Sequence, residues 1–166
     1  MRQEPRLYAS STVDGMWGEL FRHVEPEISP FEVRRRQSEL RVTNLPVLDL
    51  TDPDVRALFN VTRSNLVGNR YADCRAIADI VRLAPVRFGG ILAPSAVGVN
   101  AKTLVVFREW VSPAVTVVHE RIRTPPMRLF GLWERLIETL PPRSQDAARA
   151  TLRRLRREWA KRRRTR

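Results

Sequence analysis

Three polar residues stand at the edges of apolar segments, where a side chain could act on a bound molecule. Glu19 lies inside a stretch rich in aromatic residues and leucine, and a carboxylate in such surroundings is costly unless it has a task or a partner. Tyr8 faces away from the apolar neighbours of its own predicted strand. Ser95 lies at the C-terminal end of a predicted buried strand that begins with Gly89 and Gly90, where backbone can approach closely.

Each of these residues also has an ordinary structural interpretation. Tyr8 is compatible with a tyrosine at the edge of the core, Glu19 with an exposed helical acid, and Ser95 with a turn serine. The residue types alone therefore leave both interpretations open.

The common catalytic and cofactor motifs are absent. The chain has neither a G-x-x-x-x-G-K-[ST] nor a G-x-G-x-x-G segment, so neither phosphate-binding loop is predicted. No G-x-S-x-G elbow supports a serine triad. His23 and His119 have no second ligand at metal spacing, and the single Cys74 excludes an internal disulfide. We expect no metal site.

Short strands alternate with helices along the first three-quarters of the chain. The predicted strands cover residues 6–10, 47–50, 89–93, 104–107 and 115–122, with one or two more within 31–43. The predicted helices cover residues 12–23, 53–59, 71–83, 127–140 and 144–163, and residues 65–69 are predicted as a loop. This pattern predicts an α+β fold, a single mixed-sheet domain over residues 1–124 followed by a helical hairpin over 125–166.

Composition predicts one globular domain with an appendage. The chain has 166 residues, of which 43% are hydrophobic, and no apolar run reaches the roughly 20 residues that a membrane span needs. The first residues lack the apolar core of a signal peptide, so we expect a cytoplasmic protein.

Charge is concentrated at the C-terminus. The net charge is +12, and residues 143–166 alone contain 11 bases and 2 acids. This segment could contact DNA, an acidic membrane surface with Trp159 as anchor, or an acidic partner. The alternative is a helix docked on residues 127–140 through Leu152, Leu155 and Trp159, with a solvated arginine face.

Four segments resemble the RES family, the NAD-degrading toxins of bacterial RES–Xre toxin–antitoxin modules. The first is LYASSTVDGMWGELFRHV (7–24), with the family's tyrosine, small-residue turn and glutamate helix. The others follow in the family's order: LPVLDLTDPDVRALF (45–59), NRYADCRAIADIVR (69–82) and GGILAPSAVGVNAKTLVVF (89–107). The resemblance covers about residues 6–110, and its specificity comes from the agreement of all four segments in spacing.

The resemblance implies a RES fold similar to that of ADP-ribosyltransferases, and cleavage of the bond between nicotinamide and ribose in NAD. Glu19 would be the family glutamate that stabilises the transition state, Tyr8 would hold the nicotinamide, and Ser95 would organise the far side of the pocket. NAD is then the substrate, bound by Tyr8, Ser95 and Arg70, and no cofactor is implied. We expect the three family side chains to face one cleft, and an Xre-type helix-turn-helix antitoxin to block it.

The sequence departs from the family pattern upstream of Tyr8. The family arginine stands in a G-x-R-[WF]-N-x-x-G-like segment before the tyrosine, and no such segment precedes Tyr8. Arg2 and Arg6 are near but not in the motif, and Arg34–Arg36 or Arg70 would have to reach the pocket instead. We therefore expect either a start placed too late, or a truncated, inactive domain that serves as an antitoxin-binding or nucleic-acid-associated module.

The resemblance leaves the type of reaction open. An active protein would be an NAD glycohydrolase, an NAD phosphorylase or an ADP-ribosyltransferase, since water, phosphate or a protein side chain could each accept the ribose.

Overall fold

The computed structural model describes residues 6–23, 28–68, 71–98, 100–140 and 142–164. The chain divides into two compact units. The first unit comprises Met1–Met16 and Ser38–Glu120, and the second comprises Trp17–Gln37 and Arg121–Arg166.

Strands and helices are interspersed as far as the last strand, and helices follow it. The strands are β1 (Arg6–Ser10), β2 (Arg35–Val42), β3 (Val47–Asp49), β4 (Gly90–Pro94), β5 (Lys102–Phe107) and β6 (Val115–Arg123). The helices are α1 (Val13–His23), α2 (Pro53–Leu58), α3 (Arg63–Val67), α4 (Tyr71–Leu83), α5 (Arg108–Ala114), α6 (Phe130–Ile137) and α7 (Pro142–Arg164), and Pro30–Glu32 and Met127–Leu129 form 3₁₀ turns.

Four strands form a mixed sheet in the order β1-β5-β4-β3, and β2 pairs with β6. Strand β5 is antiparallel to both β1 and β4, whereas β3 and β4 are parallel. The predicted α+β architecture with a mixed sheet and C-terminal helices is therefore confirmed.

Helix α4 covers one face of this sheet and forms the core of the first unit with it. Its Ile77, Ala78 and Val81 are buried against Ile91 and Phe107 of the two central strands. These helix positions recur at the 3.6-residue period, so they share one side of α4. Burying each large apolar side chain contributes roughly 1.5–3 kcal/mol, which holds the sheet and α4 together.

Gly90 is required by the close approach of two sheet strands. A Cβ at this position would lie 2.4 Å from the main-chain oxygen of Val105. A larger residue would push β4 away from β5, because backbone cannot yield as a flexible side chain does.

The structure contains two short helices that the sequence analysis did not predict. Residues 65–69 were predicted as a loop, but α3 begins at Arg63 with a capping box in which Thr62 and Asn65 satisfy each other's backbone N–H groups. Helix α5 was not predicted, because Pro113 inside it is a strong helix-breaking signal.

The second unit has an aromatic cluster made of Phe21, Phe31, Phe130 and Trp133. The ring centroid of Phe31 lies 5.5 Å from that of Phe21 and 5.7 Å from those of Phe130 and Trp133, and the Phe130 and Trp133 rings are 6.1 Å apart. Edge-on and tilted pairs at these distances stabilise beyond the area they bury.

Helix α7 is docked on α6 in this unit. Ala148 and Thr151 are buried on the docked face, and the Gln145 side chain donates to the main-chain oxygens of Leu140 (2.8 Å) and Glu138 (3.2 Å). Within the described ranges, no helix combines the length and the apolarity that crossing a bilayer demands.

Candidate functional site

Tyr8 lies on an edge strand with its ring open to solvent. It pairs with Val105 of β5, while its neighbour Leu7 pairs with the fully buried Val106. Side chains alternate between the faces of a strand, so Leu7 and Tyr8 point to opposite faces of the sheet. With 64% of its surface exposed, Tyr8 is available to a ligand.

Ser95 closes a short loop directly after β4. Its backbone N–H donates to the Ala101 carbonyl oxygen at 2.9 Å, and its Oγ accepts from the Val97 N–H at 3.2 Å. The residue is only 1% exposed. These contacts order the loop between β4 and β5, so Ser95 has a structural role in this loop.

Hydrogen bonds hold the junction of β1 and α1 next to this loop. The Ser11 N–H donates to the Lys102 carbonyl oxygen, and the Ser11 Oγ accepts from the Lys102 N–H, each at 2.9 Å. Thr12 Oγ1 accepts from the Gly15 N–H at 2.9 Å and caps α1. The sequence predicted that Ser11 or Thr12 caps this helix. It gave no sign of the two hydrogen bonds between Ser11 and Lys102.

Tyr8 and Ser95 share the first unit without being in direct contact. Tyr8 is opposite Val105 on one side of β5, and Ser95 is bonded to Ala101 on the other side. Four residues along β5 and two strand spacings separate them, which corresponds to about 17 Å between Cα atoms in regular strand geometry. The two residues are therefore not neighbours in the sheet.

Glu19 lies in the second half of α1, in the second unit. Its side chain is 31% exposed and its Oε2 lies 3.5 Å from Arg22 Nη1, one turn further along the helix. Trp17 and Phe21, which flank it in the sequence, are buried. Residues two positions apart lie on opposite sides of a helix, so the half-buried Glu19 carboxylate points away from Trp17 and Phe21 and retains a route to solvent.

Several arginines could replace the family arginine that is missing before Tyr8. Arg70 and Arg2 lie outside the described residues. Arg34 directly precedes β2, Arg35 is its first residue, and both are exposed.

Asp49, at the end of β3, is a carboxylate held ionised by its surroundings. Burial acts to raise its pKa, but the Thr51 hydroxyl and N–H, which donate to Oδ1 at 2.6 and 2.8 Å, and the charge of Lys102 outweigh burial and lower the pKa. A lowered folded-state pKa stabilises the fold above the unfolded-state pKa, and that contribution is lost as pH falls through the folded value.

Gly15 packs so tightly that we expect Gly15→Ala to destabilise the protein by about 1–3 kcal/mol, as overpacking does. The new Cβ would lie 2.4 Å from Ser10 Oγ and 2.9 Å from both Ala101 Cβ and Thr12 Oγ1. Urea denaturation measures the loss. Gly98→Ala is the matched control, since a Cβ at Gly98 meets nothing within 4 Å. Equal stability of the two variants would contradict this packing.

Comparison with known proteins identifies the family. The model of the RES domain matches residues 3–130. The chain is 40% identical over 126 residues, 75% of its length, to a probable NAD(+) phosphorylase of Mycobacterium tuberculosis. The crystal structure of the M. tuberculosis MbcT–MbcA toxin–antitoxin complex has a similar fold, with a TM-score of 0.61 and 22% identity over 81% of this chain and 72% of that chain.

The expected N-terminal truncation of the domain is not supported. The family model already matches at residue 3, ahead of β1, even though the arginine motif expected from the resemblance is not found before Tyr8. The chain spans 59% of the length of that probable NAD(+) phosphorylase. Since the family match covers most of the sequence, the chain belongs to the RES domain family.

Proposed function

We propose that this protein is a RES-type toxin that consumes NAD by phosphorolysis of the bond between nicotinamide and ribose. The observation that carries the proposal is the 40% identity with a relative named as a probable NAD(+) phosphorylase. The family match over residues 3–130 includes Tyr8, Glu19 and Ser95, the three positions that carry the family resemblance. Phosphate is the proposed acceptor because of that relative's name.

The reaction needs little acid–base chemistry from the protein. The bond between ribose C1 and the pyridinium nitrogen breaks, its electron pair stays on nitrogen, and neutral nicotinamide leaves. A phosphate oxygen forms a bond to the same carbon and gives ADP-ribose 1″-phosphate. Positive charge develops on the ribose in an oxocarbenium-like transition state, so electrostatic stabilisation of that charge is the main contribution required of the protein.

The three residues suit different parts of this task. The half-buried Glu19 carboxylate is proposed to bind ribose hydroxyls and stabilise the developing charge. The exposed Tyr8 ring offers an aromatic face for nicotinamide and a hydroxyl for a directional bond. Ser95 is proposed as a positioning residue that orders the loop before β5, and Arg70 as a candidate for the pyrophosphate, since a guanidinium can bind phosphate oxygens in pairs.

We further propose an Xre-type helix-turn-helix antitoxin as the partner, bound so that it blocks access of NAD. The similarity in fold to a toxin from a toxin–antitoxin complex supports this proposal. A toxin that depletes NAD needs such an inhibitor in the cell that makes it.

The test uses the purified chain with NAD, with and without inorganic phosphate. We expect NAD to disappear only in the presence of phosphate, with one nicotinamide and one ADP-ribose phosphate formed for each NAD, as measured by mass spectrometry. Formation of ADP-ribose without phosphate would contradict phosphate as the acceptor, but it would still support cleavage of the bond between nicotinamide and ribose. Stable NAD in the presence of folded protein would contradict the proposal and favour a binding module.

A further inference from the structure

The basic residues of helix α7 form two groups, which differ in their position around the helix. Three arginines on its flanks reach carboxylates of the same unit. Arg154 binds both oxygens of Glu32 at 2.9 and 3.0 Å, Arg149 lies 2.8 Å from Glu138, and Arg156 pairs with Glu134. The Arg154 guanidinium lowers the pKa of Glu32, so this pair persists at neutral pH.

The second group lies on the side of α7 opposite the docked face. At 100° per residue, Arg143, Arg153, Arg157 and Lys161 fall on the side turned away from Ala148 and Thr151, and all four are exposed. We call this set the solvent ridge. Asp146 is the acid on the same side among the described residues.

Arg153 and Arg157 lack an acidic partner within the described part of the chain. The one contact recorded between them is a hydrogen bond from Arg157 Nε to the Arg153 carbonyl oxygen at 3.3 Å. Two guanidinium groups one helical turn apart repel each other when no acid lies between them, and this repulsion destabilises the helix. A binding partner that supplies negative charge removes this cost.

The side chains of the solvent ridge favour binding to phosphate groups over binding to a membrane or to a protein surface. A helix lying in a bilayer interface needs an apolar face to insert, and in α7 the face carrying Ala148, Leu152 and Leu155 is already buried or half-buried on the protein. A protein–protein contact is expected to have an aromatic or aliphatic anchor, whereas the ridge carries charged groups and small alanines. A basic surface without such an anchor is typical of contacts to nucleic-acid backbone.

We propose that the solvent ridge of α7 binds the phosphate backbone of duplex DNA without sequence preference. From Arg143 to Lys161 the ridge extends about 27 Å along the helix axis, long enough to follow several phosphates of one strand. The interaction is separate from NAD consumption and uses none of the residues assigned to it.

The experiment measures the affinity of the full chain for a short random-sequence duplex as a function of salt. We expect the logarithm of the affinity to fall linearly with the logarithm of salt concentration. For Arg153→Gln combined with Arg157→Gln, two lost phosphate contacts lower the slope by about 1.8 and weaken binding by roughly 10- to 60-fold near 0.1 M salt.

A charge-matched control separates the ridge from net charge. Arg41→Gln combined with Arg121→Gln removes the same charge from exposed positions of β2 and β6, and we expect it to bind DNA like the wild type. Equal loss in both double variants, or no salt-dependent binding by the wild type, overturns the proposal. So does retention on anionic lipid vesicles but not on DNA. Circular dichroism must show that both variants are folded, which is expected since none of these four arginines has an ion pair within the described residues.

Discussion

We expect Glu19→Gln to lower the rate of the proposed NAD consumption by about 10²- to 10³-fold, the range found when one electrostatic stabiliser of a transition state is removed. The glutamine keeps the size and polarity of the side chain but cannot neutralise positive charge on the ribose. The loss is expected mainly in kcat, because positive charge moves from the pyridinium ring to the ribose only in the transition state. Initial rates over a range of NAD concentrations separate kcat from KM.

Two controls distinguish chemistry from structure at this position. Arg22→Gln breaks the same 3.5 Å ion pair but leaves the carboxylate in place, so we expect it to retain most of the activity. Glu39→Gln removes a carboxylate from an exposed position of β2 and is expected to be fully active. Activity of Glu19→Gln within about twofold of wild type would exclude a catalytic role for this residue.

Trp133→Ala destabilises the protein by about 3–5 kcal/mol, the usual cost of removing a large buried aromatic side chain. Trp133 is 4% exposed, and its ring contacts those of Phe31 and Phe130. The deletion leaves a cavity that the rigid neighbouring rings fill poorly. In a chain of this size the thermal midpoint is expected to fall by about 10 °C.

Thermal unfolding followed by far-ultraviolet circular dichroism checks this prediction without relying on tryptophan fluorescence. Met127→Ala is the control, since Met127 lies in the same segment but is exposed and its loss is expected to cost less than about 1 kcal/mol. A midpoint for Trp133→Ala equal to that of the control would show that the aromatic cluster does not support the fold.

Much of the secondary structure follows from local signals in the sequence. The strand at Arg6–Ser10 and the helix at Tyr71–Leu83 were predicted with the observed bounds, because apolar residues recur there at the period of each structure. The start of α2 was equally clear, since Asp52 precedes Pro53 and its side chain accepts from the Asp54 N–H.

Contacts between residues far apart in the sequence could not be predicted from such local signals. That β5 lies between β1 and β4 depends on pairing across about a hundred residues, and no local pattern specifies it. The two hydrogen bonds between Ser11 and Lys102 depend on the same pairing. The reciprocal cap of Thr62 and Asn65 is a local feature, but the short polar segment around it has the composition of a loop.

The candidate site was predicted to a different degree for each residue. Strand alternation separates Tyr8 from Leu7 but does not give its exposure, since Tyr8 shares its sheet face with the buried Ile91. The apolar surroundings expected for Glu19 do not follow from helical spacing, because Trp17 and Phe21 lie two positions away on the other side of α1. That Ser95 is buried and bonded to Ala101 could not be read from the sequence, because Ala101 is brought to it by the turn between β4 and β5. The roles of these residues toward NAD are proposed from the family match.

The most direct test of NAD consumption is the NAD content of bacterial cells after induction of this chain, beside cells that make Glu19→Gln at equal level. The account predicts that NAD collapses and growth stops with the wild-type chain, while both continue with the variant. NAD that stays level in both cultures, with folded protein present, would contradict it.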